Sequence, residues 1–220
     1  MGRAVLRLAA EDPRVNVVAA VSRSGAAPVE GVPAFGVADL ARCPRFDVAI
    51  DFSLPRGFDG ILALCAERQA ALVSGTTGLE PAQRAALQSA AARIPVAWAS
   101  NFSLGVAVLT DLVERAARTL AGWDCDIVEA HHTRKQDAPS GTALSLGAAA
   151  EHGGATPRYA SLRAGDIVGE HLVQFAGAGE RIELVHRATN RDIFARGALH
   201  AARRLVGRTP GLYRVADLLD

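Results

Sequence analysis

Short apolar runs alternate with helical patterns over the first two-thirds of the chain. Val15–Val21 is valine-rich and bounded by Pro13 and by Ser22-Arg23-Ser24-Gly25, which predicts a strand. Asp47–Phe52, Ala70–Ser74 and Pro95–Ala99 predict three more. Helical periodicity falls between them at about 3–10, 55–69 and 80–93, with Pro55 and Pro81 at favourable first-turn positions. Strands alternating with helices predict βαβ units and a parallel, doubly wound α/β sheet. A long amphipathic helix follows from about Leu104 to Leu120. After Gly122 the pattern changes. Asp126–His131, Tyr159–Arg163, Ile167–Phe175 and Arg181–His186 predict strands mostly in succession, with a tight turn at Gly177-Ala178-Gly179-Glu180. Strands without helices between them predict a mixed or antiparallel second sheet, hence a second α+β layer or domain. Helix returns from about Arg191, and the chain ends in a short apolar tail, Val215–Leu219. There is no internal repeat.

Composition narrows the class. The 220 residues are 50% hydrophobic and 21% charged, with a net charge of about +1, which excludes disorder and a nucleic-acid footprint. No apolar run approaches the roughly 20 residues needed to span a bilayer, and the first residues lack a secretory pattern. Cys43, Cys65 and Cys125 are odd in number and lack CxxC spacing, so neither a disulfide frame nor a metal site is expected. Idle thiols in a reducing cytoplasm fit best.

Charge chemistry then singles out one stretch. Of 24 basic residues only Lys135 is a lysine. Codon bias explains a lone lysine equally well, so its neighbours decide. It lies in Glu129-Ala130-His131-His132-Thr133-Arg134-Lys135-Gln136-Asp137-Ala138-Pro139-Ser140-Gly141-Thr142. An ammonium can give up a proton where a guanidinium cannot. His131 and His132 close a strand and point to opposite faces unless the strand ends between them; either could be a satisfied core histidine. Ser140 is the expected N-cap of a helix whose start can receive a carboxylate. Two imidazoles, an ammonium and an anion-receiving helix start together point to a carboxylated substrate that needs protonation. Three predicted strand ends also carry polar or glycine-rich residues: Asp51-Phe52-Ser53, Gly75-Thr76-Thr77-Gly78 and Ser100-Asn101-Phe102-Ser103. Each alone reads as a plain turn, but three on one rim predict a cofactor crevice. Ser22-Arg23 at the first strand end, without a carboxylate, tilts the choice toward NADPH over NADH, although a solvent-facing arginine reads equally simply.

These motifs resemble the 4-hydroxy-tetrahydrodipicolinate reductase family. The histidine–lysine stretch carries most of the resemblance. Arg163-Ala164-Gly165-Asp166-Ile167-Val168-Gly169-Glu170-His171 and Gly179-Glu180-Arg181-Ile182-Glu183-Leu184 match in order with the strand-end motifs. The resemblance implies that His131 is the proton donor/acceptor and Lys135 the second proton donor. It implies that His132, Ser140, Gly141 and Thr142 meet the substrate. Arg23, Gly75, Thr76, Thr77, Ala99, Ser100, Asn101 and Phe102 would meet NADPH or NADH. The implied reaction reduces an unsaturated dicarboxylate ring, with loss of water, in diaminopimelate and lysine biosynthesis. The implied fold is a Rossmann-like domain (1–103 plus 192–220) and a substrate-binding domain (104–191) that builds a homotetramer.

The resemblance has two departures. Family members open with a strand and a GxxGxMG turn, and Met1-Gly2-Arg3 aligns with the tail of that turn. The first strand and most of the phosphate loop would therefore be missing, through a late-placed start or truncation, and cofactor binding would suffer. The spacing between the helix after Ser140 and Tyr159 is also short. Two competing readings stay open: another NAD(P)-dependent dehydrogenase, or a non-catalytic binding or assembly subunit.

Overall fold

The structure, a computed structural model, describes residues 1–23 and 27–220; Ser24 and Gly25, cited above as a strand boundary, lie outside them. In chain order the first elements are α1 (Gly2–Ala10), β1 (Ala20–Ser22), β2 (Ala34–Gly36), β3 (Val48–Asp51), α2 (Pro55–Arg68), β4 (Ala71–Ser74), α3 (Pro81–Ala91) and β5 (Pro95–Trp98). Then come α4 (Leu104–Thr119), β6 (Asp124–His131), α5 (Gly141–His152), β7 (Pro157–Arg163), β8 (Gly169–Gly177) and β9 (Glu180–Ala188). The chain finishes with α6 (Asp192–Leu205) and β10 (Gly211–Tyr213). Short 3-10 helices cover Val37–Arg42 and Ala216–Leu218. Two compact units result, Met1–Phe102 with Phe194–Asp220, and Ser103–Ile193.

The first unit is parallel α/β. Its main sheet runs β10-β5-β4-β3 with every pair parallel. All four residues of β4 are buried, as expected of a central strand covered on both faces. Pro55 and Pro81 open α2 and α3, where a missing N–H costs nothing, and a reciprocal Glu80–Gln83 capping box fixes the start of α3. Phe58, Leu62, Leu72, Leu87 and Val96 pack beneath the sheet.

β1 differs from its expectation. Only Ala20–Ser22 forms a ladder, because the partner β2 offers three residues; Val15–Ala19 has no regular structure. β1 and β2 form a parallel pair separate from the four-stranded sheet. Between β1 and β3 lies a cavity of about 2040 Å³ whose lining includes Val5, Val17, Val21, Val48, Ile50 and Leu199. The parallel strands of this unit are thus divided between a two-stranded pair and a four-stranded sheet. The predicted tail at Val215–Leu219 is mainly a 3-10 turn, and β2 and β10 were not anticipated.

The second unit carries a mixed sheet, ordered β7-β6-β8-β9. β6 pairs parallel with β7 and antiparallel with β8, and β8–β9 is a hairpin closing at Gly177↔Glu180, with Gly179 at φ +85°. That positive φ is why a glycine occupies the turn. Strict alternation in β6 and β8 buries Cys125, Ile127, Glu129 and His131 beside Gly169, His171, Val173 and Phe175. Leu109 and Val113 from α4 and Leu146 and Ala150 from α5 join the apolar part of this core.

Candidate active site

The buried face of β6 and β8 changes character along its length. At one end Cys125 and Phe175 are cross-strand partners within the apolar core. Two residues further, Ile127 faces Val173; two more, and Glu129 faces His171, with His131 closing the row. Period-two alternation alone therefore lines up three ionisable side chains on one covered face.

Each has defined partners. The Glu129 carboxylate is 1% exposed and receives both Nη atoms of Arg163, at 2.9 and 2.7 Å. Burial pushes this carboxyl upward, but hydrogen bonds from Arg163, Ser161 and His131 outweigh it and hold the group at about 2. His131 Nδ1 lies against Glu129 Oε2, and the rings of His131 and His171 meet edge to face with centroids 5.2 Å apart. Burial holds His171 down at about 4, so it is neutral at pH 7; its Nε2 is 3.2 Å from Ser140 Oγ.

Ser140 is the N-cap of α5 as predicted, its hydroxyl accepting from the Ala143 amide at 3.2 Å. Gly141 and Thr142 form the first turn, at the positive end of the helix dipole. The loop between β6 and α5 is tied at both ends. Ala164 N–H donates to the His131 carbonyl at 2.9 Å, and Arg163 Nη2 donates to the Asp137 carbonyl at 2.7 Å.

Lys135 sits in that loop, partly covered, with Nζ donating to both Asp137 carboxylate oxygens at 2.8 and 2.9 Å. Asp137 is held below the usual carboxylate range by this bond. His132 meets Arg191, whose Nη2 is 3.2 Å from His132 Nε2. A guanidinium only donates, so His132 Nε2 accepts and Nδ1 carries the proton; that buried Nδ1 has no hydrogen-bond partner in the protein. Burial, then the charges of Arg134 and Arg191, hold His132 below its ordinary value.

Arg163, His171, Arg191 and Asp137 were not singled out from the sequence. Arg163 and His171 stand at the ends of the quoted stretch 163–171, so the signal was present. Only the strand register shows that Arg163 faces His131 and His171 faces Glu129.

In the first unit, the ends of β3, β4 and β5 share one rim. Thr76, expected to meet the cofactor, is 1% exposed and directed inward. Its hydroxyl donates to Asp51 Oδ2 at 2.8 Å, its amide to Ser74 Oγ, and its carbonyl accepts from Trp98 Nε1 at 2.9 Å. Thr76 thus shapes the turn, leaving Gly75 partly open and Thr77 exposed. A side chain at Gly75 would run into the Phe52 ring. Ala99 and Asn101 are half-buried and Ser100 exposed; Phe102 is buried edge-on to Phe52, centroids 6.0 Å apart. Arg23 is exposed just beyond β1. Cys43, Cys65 and Cys125 are free and buried, and burial pushes the Cys65 thiol to about 12 and Cys125 to about 11.

Comparison with known proteins places the chain. The family profile described as Dihydrodipicolinate reductase, N-terminus, matches residues 1–102, and that described as Dihydrodipicolinate reductase, C-terminus, matches 105–219. The chain is 72% identical to the 4-hydroxy-tetrahydrodipicolinate reductase of Stenotrophomonas maltophilia (strain K279a), covering 100% of this chain and 93% of that protein. It is 70% identical to the enzyme of the same name from Xanthomonas axonopodis pv. citri (strain 306), with the same coverage. Among solved structures, dipicolinate-bound dihydrodipicolinate reductase from Paenisporosarcina sp. TG-14 superposes with a TM-score of 0.82 at 21% identity, covering 100% of this chain and 95% of that one; this last likeness speaks to fold. By both profiles and by sequence identity over its whole length, this chain belongs to the dihydrodipicolinate reductase family.

Proposed function

We propose that this chain is a 4-hydroxy-tetrahydrodipicolinate reductase, an NAD(P)H-dependent oxidoreductase of diaminopimelate and lysine biosynthesis. The observation that carries the reading is the 72% identity, across the whole chain, to a relative of that name. The clustering of His131, His132, Lys135 and the α5 start in one unit supports it chemically.

In this reading the first unit (with the domain taken as 1–103 plus 192–220) holds the cofactor. The carboxyl ends of three adjacent parallel strands are where such sheets receive nucleotides. A half-open Gly75, exposed Thr77 and Ser100, and half-buried Ala99 and Asn101 fit the nicotinamide end. Thr76 and Phe102 hold that rim from within, and Arg23 suits a 2′-phosphate. Bound nicotinamide supplies the hydride. The second unit (104–191) supplies the substrate seat and the protons. Ser140, Gly141 and Thr142 receive one carboxylate at the helix start, and the unpartnered Nδ1–H of His132 offers a further donor. Arg191 adds a fixed positive charge beside it.

Reduction leaves negative charge on the ring, which an acid must quench. His131 and Lys135 are the two proton donors. Lys135 is held on Asp137, so delivery requires the ammonium to leave that carboxylate for the substrate. The reading also carries a cytoplasmic location and a homotetramer. Supporting the assembly, the outer strands of the second sheet expose Leu162 and Val185 on the face opposite the buried row of Ile127 and Val173, and a second copy would cover them. The test follows oxidation of NADPH and of NADH by the purified chain, with substrate generated in place. Saturable turnover is expected; none with either cofactor, from folded protein, would falsify the reading.

A further inference from the structure

Glu129 joins parts of the second unit that lie far apart in sequence. Oε2 meets His131 Nδ1 and accepts from Arg163 Nη1 at 2.9 Å. Oε1 accepts from Arg163 Nη2 at 2.7 Å and from the Ser140 amide at 3.2 Å. One carboxylate thereby connects the end of β6, the end of β7 and the N-cap of α5. Arg163 extends the connection to the loop of Lys135 through the Asp137 carbonyl, at 2.7 Å. The planar guanidinium fork suits this task, since two parallel bonds fix the carboxylate plane as well as its distance.

The protonation state follows from the partners. A carboxylate with two guanidinium bonds and an amide bond is ionised and only accepts, so the nitrogen of His131 facing it carries the hydrogen. In its neutral form the ring then has its lone pair on Nε2. That nitrogen lies toward Gly169, where an added Cβ would sit 3.1 Å away. Glycine there keeps the working side of the ring clear.

We infer that Glu129, clamped by Arg163, is a positioning residue: it fixes His131 in the Nδ1–H tautomer and ties that ring to the start of α5. The proton-exchanging nitrogen and the carboxylate seat then share one frame. The inference rests on the reductase reading, which makes Nε2 the working atom. Neither Glu129 nor Arg163 need touch substrate.

Glu129→Gln keeps the volume and removes the charge. Two measurements test it together: steady-state kinetics, and 15N NMR of the His131 imidazole in substrate-free protein. The wild type is expected to show the Nδ1–H form. In E129Q that preference is lost and kcat falls by about 100-fold or more, the scale of a positioned acid–base group. KM for either substrate changes far less. An Nε2–H ring in the wild type overturns the inference without any variant, even if E129Q fails to fold. An unchanged tautomer in E129Q overturns it too, as does a lost tautomer with normal kcat. A wild type with the Nδ1–H ring but no turnover would instead sink the reductase reading and leave the tautomer assignment standing.

Discussion

Lys135 and His171 show how single side chains in this family member answer to their neighbours. Lys135 rests on Asp137 in a bidentate grip, which an arginine would keep or strengthen. Yet guanidinium does not release a proton at any ordinary pH. Lys135→Arg is therefore expected to retain fold and substrate affinity while kcat drops about 100-fold or more, read from steady-state kinetics beside a melting curve. Near-normal kcat would remove Lys135 from proton delivery. His171 acts on stability instead. Burial keeps its folded-state value at about 4, against 6.5 ordinarily. Between those values the unfolded chain binds a proton that the folded chain refuses, so stability is full above 6.5 and falls as pH drops toward 4. Denaturant melts at stepped pH should show a shallower decline in His171→Asn than in the wild type; parallel declines would count against the buried neutral ring.

Among elements, β6 and β8 do most to place the chemistry, and they were also the most legible. Both strands were predicted, but β6 ends between His131 and His132, the case in which alternation does not fix their faces. The N-cap at Ser140 was equally readable, because capping is a local bond between a hydroxyl and an amide three residues on. Arg163, His171 and Arg191 were harder to place. Their contacts depend on which strand lies beside which and in what register, and those are properties of pairing rather than of any segment's own pattern. β1 failed for a related reason: valine-rich sequence favours extended backbone, but a ladder needs an equally long neighbour. The site also leans on α5 from behind. Leu146 is fully buried between that helix and the sheet, so Leu146→Ala is expected to cost about 2–5 kcal/mol by urea unfolding. Loss well below that range would mean that α5 can settle onto the sheet and fill the space.

At the scale of the whole molecule, the two sheets of the first unit are not equals. β4 is paired on both sides and buried throughout, whereas β1 and β2 share three register pairs and β1 borders the large cavity. Amide protection follows the weakest opening available to each segment. Hydrogen exchange should accordingly be slow at Val73 and faster by orders of magnitude at Val21 and Phe35; comparable protection would show that the pair is anchored by more than its own ladder. The divided sheet also has a calorimetric consequence. Among the described residues no strand ladder joins the short ribbon to the main sheet, and a two-stranded ribbon of that length has little standing of its own. Warming would loosen the ribbon before the main transition, spreading heat uptake into a low-temperature shoulder that no two-state curve can fit.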